Sequence, residues 1–192
     1  MQATNWNEVE EAQEFENPTA GGYVCRIIDV KDVPERQYLL VTLDIAEGKF
    51  TDRGKELQER TGADWGYYVA YRSYKESARS FFKSFLVALE KSNKRFKANK
   101  FNNNEKELIG LLVGVVLQEE EYVGQDKETK APKKKTRLRV ANTIDANLIR
   151  AGKFKVPALK VLSDEDKARL SESSYMPFSD VNAVAEDINC PF

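Results

Sequence analysis

Gly21-Gly22-Tyr23-Val24-Cys25-Arg26-Ile27-Ile28-Asp29-Val30, a turn from Asp32 to Arg36 around Pro34, then Tyr38-Leu39-Leu40-Val41-Thr42-Leu43-Asp44-Ile45-Ala46-Glu47: this stretch decides the fold. Its second half alternates. Leu39, Val41, Leu43 and Ile45 fall on one side; Tyr38, Leu40, Thr42 and Asp44 fall on the other. A period of two marks a half-buried strand. The first half is apolar on both faces, as a curled sheet requires. Two long antiparallel strands therefore open the domain, and the rest of the chain completes or covers the sheet they begin.

Downstream, Gly48 to Gly62 is polar and charged and reads as a mobile connection. Trp65 to Tyr74 reads as a third strand dense in tyrosine. Ala78, Phe81, Phe82, Phe85, Leu86 and Leu89 then fall at helical spacing, with Lys75, Arg79 and Lys83 on the exposed side and an end near Ser92-Asn93. Phe81, Phe82 and Phe85 read as core. Leu108 to Leu117, running on towards Tyr122, forms a fourth strand in which Gly110 and Gly114 permit a bend. Glu119-Glu120-Glu121 reads as its solvated end. A lysine-rich loop from Gly124 to Lys135 precedes a fifth strand, Thr136 to Ala141. A short helix follows from Ile144 to Arg150, closed by Gly152, and Ser163 caps another at Asp164.

Three strands, a helix and two more strands is the order of the OB fold. The expected fold class is mainly β (α+β): a five-stranded OB-fold barrel with its main helix between strands three and four. Residues 20–160 form that domain. Residues 1–19, with Trp6 and Phe15, make an acidic leader, and residues 161–192 a flexible acidic C-terminal tail.

The length of 192 residues suits one domain with tails. No apolar run reaches the length of a membrane span. The acidic N-terminus is unlike a signal or transit peptide. Cys25 and Cys190 are isolated and suggest no disulfide framework, so a reducing cytoplasm is expected. Histidine is absent. That excludes Ser-His and Cys-His catalysis and the usual zinc sites. No nucleotide-binding fingerprint occurs. Neither enzyme activity nor a cofactor or metal is expected.

The net charge of -1 conceals a division. Residues 1–19 carry five acids and no bases, residues 20–160 carry 28 bases against 19 acids, and residues 161–192 carry two bases against seven acids. A basic middle between acidic ends points to a polyanion partner. Single strands are bound by stacking bases on aromatic rings beside a cationic groove. On the third strand Tyr67 and Tyr71 share one face, and Tyr68, Arg72 and Tyr74 the other. Which face is exposed stays open; Tyr68 and Tyr74 are the ring candidates, with Lys75 beside them and Tyr38 on the second strand. Lys127, Lys130, Lys133, Lys134, Lys135, Arg137 and Arg139 are the candidate phosphate contacts.

The chain ends Glu186-Asp187-Ile188-Asn189-Cys190-Pro191-Phe192. This ending resembles the acidic tip of bacterial and phage single-stranded DNA-binding proteins, Asp-Asp-Asp-Ile-Pro-Phe. Glu186, Asp187 and Ile188 match in kind, and Pro191 and Phe192 in identity; Asn189-Cys190 is inserted between the two groups. The resemblance implies that these five residues dock replication or recombination proteins. Most of residues 18–160 also resembles proteins of unassigned function from replication modules of phages of Gram-positive bacteria, through Gly21 to Ile27, Asp44 to Gly48 and Arg72 to Lys75. The expected function is non-specific single-stranded DNA binding in phage DNA replication or recombination. An inhibitor or DNA mimic that binds a host factor, and a single-strand annealing recombinase, are the alternatives. A homo-oligomer is compatible with all three readings; a membrane partner is not expected.

Overall fold

The computed structural model describes residues 16–174, with side chains to 171. Of the described residues, 16–117 together with Val140–Val156 make one compact unit; Gln118–Arg139 and 157–174 make a second. Five strands form one antiparallel sheet: β1 (Gly21–Val33), β2 (Tyr38–Ile45), β3 (Tyr68–Ser73), β4 (Leu112–Gln125) and β5 (Pro132–Ile144). Their order is β3-β2-β1-β4-β5. β3 and β5 are the two ends, and among the described residues no ladder joins them, so the sheet is open where the expected barrel would close.

β1 and β2 pair from Cys25↔Ile45 to Val33↔Tyr38. The register shifts between Ile27 and Asp29, making Ile28 a bulge with a half-open side chain. An extra residue resets the alternation, so both Ile27 and Val30 turn inward although they are three apart. On β2 the expected alternation is observed: Leu39, Val41, Leu43 and Ile45 are buried. Asp44, on the other face, is buried as well.

Asp44 explains an element that the sequence reading missed. Gly48 to Gly62 is not simply a mobile connection: it contains α1 (Arg53–Thr61). Asp44 Oδ1 accepts the backbone N–H of Gly54 at 2.8 Å, and Oδ2 that of Lys55 at 3.0 Å. A carboxylate from a neighbouring strand thus occupies the helix N-terminus, where free N–H groups and the helix dipole favour an anion. Gly54 is required there, because a Cβ would lie 2.4 Å from the Tyr67 ring. The helix ends at Gly62, at φ +70°, whose N–H donates to Gln58 O.

The main helix, α2 (Arg79–Ser92), lies between β3 and β4 in the chain as expected and buries Phe85, Leu86, Ala88 and Leu89. Its end is tied to β4 through one side chain. Asn93 Nδ2 donates to Leu89 O and Leu112 O, while Asn93 Oδ1 accepts from Leu112 N. Leu108 to Leu111, expected as strand, instead form the end of a 3-10 turn and a bend, with Gly110 at φ +85°. Gly114 is in β4, but its role is close packing: a Cβ would meet Ile149 at 2.7 Å. The short α3 (Ala146–Arg150) is capped by Asp145, whose Oδ1 accepts from Asn147 N.

In the second unit, Lys160 makes a parallel bridge with Glu120. Lys160 N donates to Glu119 O at 2.9 Å, and Glu121 N donates to Lys160 O at 2.8 Å. Leu162 is buried beyond it. α4 (Asp164–Ser174) then begins with the Ser163 cap, its Oγ accepting from Asp166 N. No helix among the described residues is long and apolar enough to cross a membrane.

Candidate nucleic-acid interface

The register between β2 and β3 sets the faces. Leu39↔Arg72, Val41↔Ala70 and Leu43↔Tyr68 stand opposite one another, as do Leu40↔Tyr71 and Thr42↔Val69. Directly paired residues share a face. Because Leu39, Val41 and Leu43 enter the core, Tyr68, Ala70 and Arg72 do too. The face expected to carry the rings is therefore the inner one, and the solvent face is that of Val69 and Tyr71. Tyr71 is 61% exposed. Its ring meets Tyr38 edge-on, centroids 5.3 Å apart. Of the expected ring residues, Tyr38 remains on the outward side and is half-buried.

Burial pushes the Tyr68 phenol well above its ordinary pKa. Burial also lowers Arg72 to about 10. Its guanidinium lies over the Phe85 ring at 5.3 Å, and Nη2 donates to Thr143 Oγ1 at 3.0 Å. Tyr74 lies just past β3; its hydroxyl donates to Asp32 Oδ1 at 2.8 Å and its ring packs edge-on against Phe82. Lys75 is exposed at the following turn. Trp65, expected in the third strand, precedes it in a 3-10 turn.

Phe81 corrects a second expectation. It is 76% exposed rather than core, since only the later turns of α2 reach the sheet. Tyr71, Arg72, Phe81, Phe82, Phe85 and Thr143 line a cleft of about 380 Å3 at the open seam between β3 and β5.

The basic hairpin belongs to the second unit. Lys133, Lys134 and Lys135 are in strand β5, not in the loop where they were expected. Lys133 pairs with Asp126 at 3.2 Å, Lys134 with Glu121 at 2.8 Å, and Lys135 Nζ donates to Gln125 O. Lys127 and Lys130 are exposed at the tip, Lys130 at φ +58°. Glu120 is not a solvated strand end. It is buried, and it collects Arg137, Arg139 and Lys160. Burial alone would raise its carboxyl, but hydrogen bonds from Lys160, Arg139 and Arg137 outweigh that and hold its pKa at about 2.

The exposed ring of Tyr71 belongs to the first unit and the basic residues of the hairpin to the second. The first brings Tyr38 to Tyr71, and the second Arg137 to Arg139. Phe81, Glu120 and Lys160 were missed by sequence reasoning, and Tyr71 was on the face left as the alternative. Glu186, Asp187, Ile188, Pro191 and Phe192 lie outside the described residues. Among the described residues, no group of three or more Cys, Asp or Glu could hold a metal ion. No protein-family model matches the chain, and no curated protein matches it.

Proposed function

We propose that this chain is a single-stranded nucleic-acid-binding protein of OB type. The observation that carries the reading is the Tyr38–Tyr71 ring pair. It stands on the outward face of β2 and β3, in an open five-stranded antiparallel sheet of order β3-β2-β1-β4-β5 that supports an OB-type reading. In that fold the second and third strands and the loop between the fourth and fifth are the ligand face. An exposed tyrosine there offers a base a stacking surface that tolerates any sequence. The basic residues of the β4–β5 hairpin supply phosphate contacts. The ring contacts are Tyr38 and Tyr71, with Phe81 as a neighbour; the phosphate contacts are Lys127, Lys130 and Lys133 to Lys135, with Arg137 and Arg139. The proposed setting is phage DNA replication or recombination, with Glu186, Asp187, Ile188, Pro191 and Phe192 recruiting partner proteins.

An electrophoretic shift comparing single-stranded DNA, duplex DNA and RNA of equal length tests the reading. Single strands should be retained at lower protein concentration than duplex, with affinity falling linearly on a log-log salt plot. Equal or tighter duplex binding would sink it.

A further inference from the structure

Three cations converge on one carboxylate in the second unit. Glu120 Oε2 accepts from Arg137 Nε at 3.1 Å and Nη2 at 2.9 Å; Oε1 accepts from Arg139 Nη1 at 2.8 Å and Lys160 Nζ at 2.7 Å. These four bonds fill the sites a carboxylate offers. The cations are far from filled. Arg137 uses two of its five N–H donors here, Arg139 one, and Lys160 one of three. Their side chains remain 57%, 40% and 54% exposed.

One arginine fork is enough to satisfy one buried carboxylate. A second guanidinium and an ammonium add mutual repulsion, which the single negative charge does not cancel. The chain nevertheless holds all three firmly. Arg137 and Arg139 share a face of β5 by the period of two. The Arg137 guanidinium also lies over the Tyr122 ring at 4.8 Å. Lys160 is fixed by the backbone bridge to β4. Positive charge is thus concentrated on exposed side chains, with donors left over beside a carboxylate that has no capacity left.

We infer that Glu120 is a positioning residue, and that Arg137, Arg139 and Lys160 form a preformed clamp for a backbone phosphodiester of the bound strand. The inference rests on the single-strand reading. Two guanidinium forks match the paired oxygens of a phosphodiester. Cations already held in place lose less side-chain freedom on binding than lysines on a free loop.

The test uses the sign of a charge change. Glu120→Gln removes a negative charge, so electrostatics alone would tighten polyanion binding. Loss of positioning weakens it. Binding of labelled oligothymidylate to the full chain is measured by anisotropy over a salt series. Wild type is compared with E120Q, R137Q/R139Q, the triple variant and K160Q. E120Q should bind several-fold more weakly with a flatter salt slope, and should cost clearly less in the R137Q/R139Q background, where only Lys160 is left to position. K160Q, at an exposed side chain, should lower the slope by about one. Tighter or unchanged binding by E120Q overturns the inference. So does an equal loss in both backgrounds, which marks a merely structural residue, or an unchanged slope in K160Q, the arm that remains decisive if E120Q does not fold. Poly-glutamate held as tightly as the oligonucleotide, and weakened equally by E120Q, overturns the choice of phosphate. Wild type that binds no oligonucleotide fails the single-strand reading itself.

Discussion

Arg72 of β3 reaches Thr143 of β5, Nη2 to Oγ1 at 3.0 Å, across the two strands that end the sheet. Where a closed barrel would have a ladder, this molecule has a side-chain tie. The tie is made by a largely buried guanidinium for which no carboxylate partner is found among the described residues; its Nε has no hydrogen-bond partner. Replacing buried charge by apolar volume is often neutral or stabilising. Arg72→Met should therefore melt within a few degrees of wild type or above it. A large drop in Tm would mean that the tie holds the seam together.

The face assignment on β3 separates two tyrosines by outcome. Tyr71→Ala should cost roughly 1–3 kcal/mol of single-strand affinity and leave the salt slope and the melting temperature nearly unchanged. Tyr68→Ala, on the core side, should instead destabilise the fold by about 3 kcal/mol. Urea unfolding and oligonucleotide titration of the two variants give the comparison.

Asp44 is expected to matter more than any surface acid. Asp44→Ala leaves the N–H groups of Ile45, Gly54 and Lys55 without their acceptor. Unmade bonds at a buried site cost about 1–3 kcal/mol each for the group stranded. Loss of helical circular dichroism and a lowered urea midpoint are the expected results.

Acid should loosen the β4–β5 hairpin. The Glu120 carboxyl is held at about 2, below its ordinary 4.5. A depressed carboxylate contributes stability that is fully present above its unfolded pKa and lost as pH falls through the folded one. The contribution should therefore persist at pH 5 and disappear between about pH 4.5 and 2. Glu121, lowered by Lys134, and Asp126, held at about 2 by the N–H groups of Thr129 and Glu128 and by Lys133, act in the same direction. Ring resonances of Tyr122, beneath Arg137, report the change by NMR. Glu120→Gln should reduce it without abolishing it.

What was legible in the sequence was local. The alternation of Leu39, Val41 and Leu43, the apolar stripe of α2 and the Ser163 cap each depend on residues a few positions apart. The features missed depend on distant partners. Leu57 is the only large apolar residue of α1, so the helix carries no stripe, and its N-terminal acceptor comes from β2. The inner and outer faces of β3 follow from its register with β2, which lies beyond a connection containing a helix. Phe81 continues the helical spacing of Phe85, yet nothing in that spacing says where the sheet beneath it stops. Glu120 lies among three glutamates that look alike until Arg137, Arg139 and Lys160 are placed around one of them.

The spacing around Glu120 also orders events on the ribosome. Arg137 and Arg139 lie 17 and 19 positions after it, Lys160 lies 40. At ordinary synthesis rates the hairpin arginines emerge roughly one to four seconds before the lysine. The nascent hairpin can therefore neutralise its buried acid with its own strands, and the segment from Pro157 onward arrives at a carboxylate that is already paired. Lys160 closes an assembly that its predecessors have begun, and a chain stalled before it would still carry a Glu120 paired with Arg137 and Arg139.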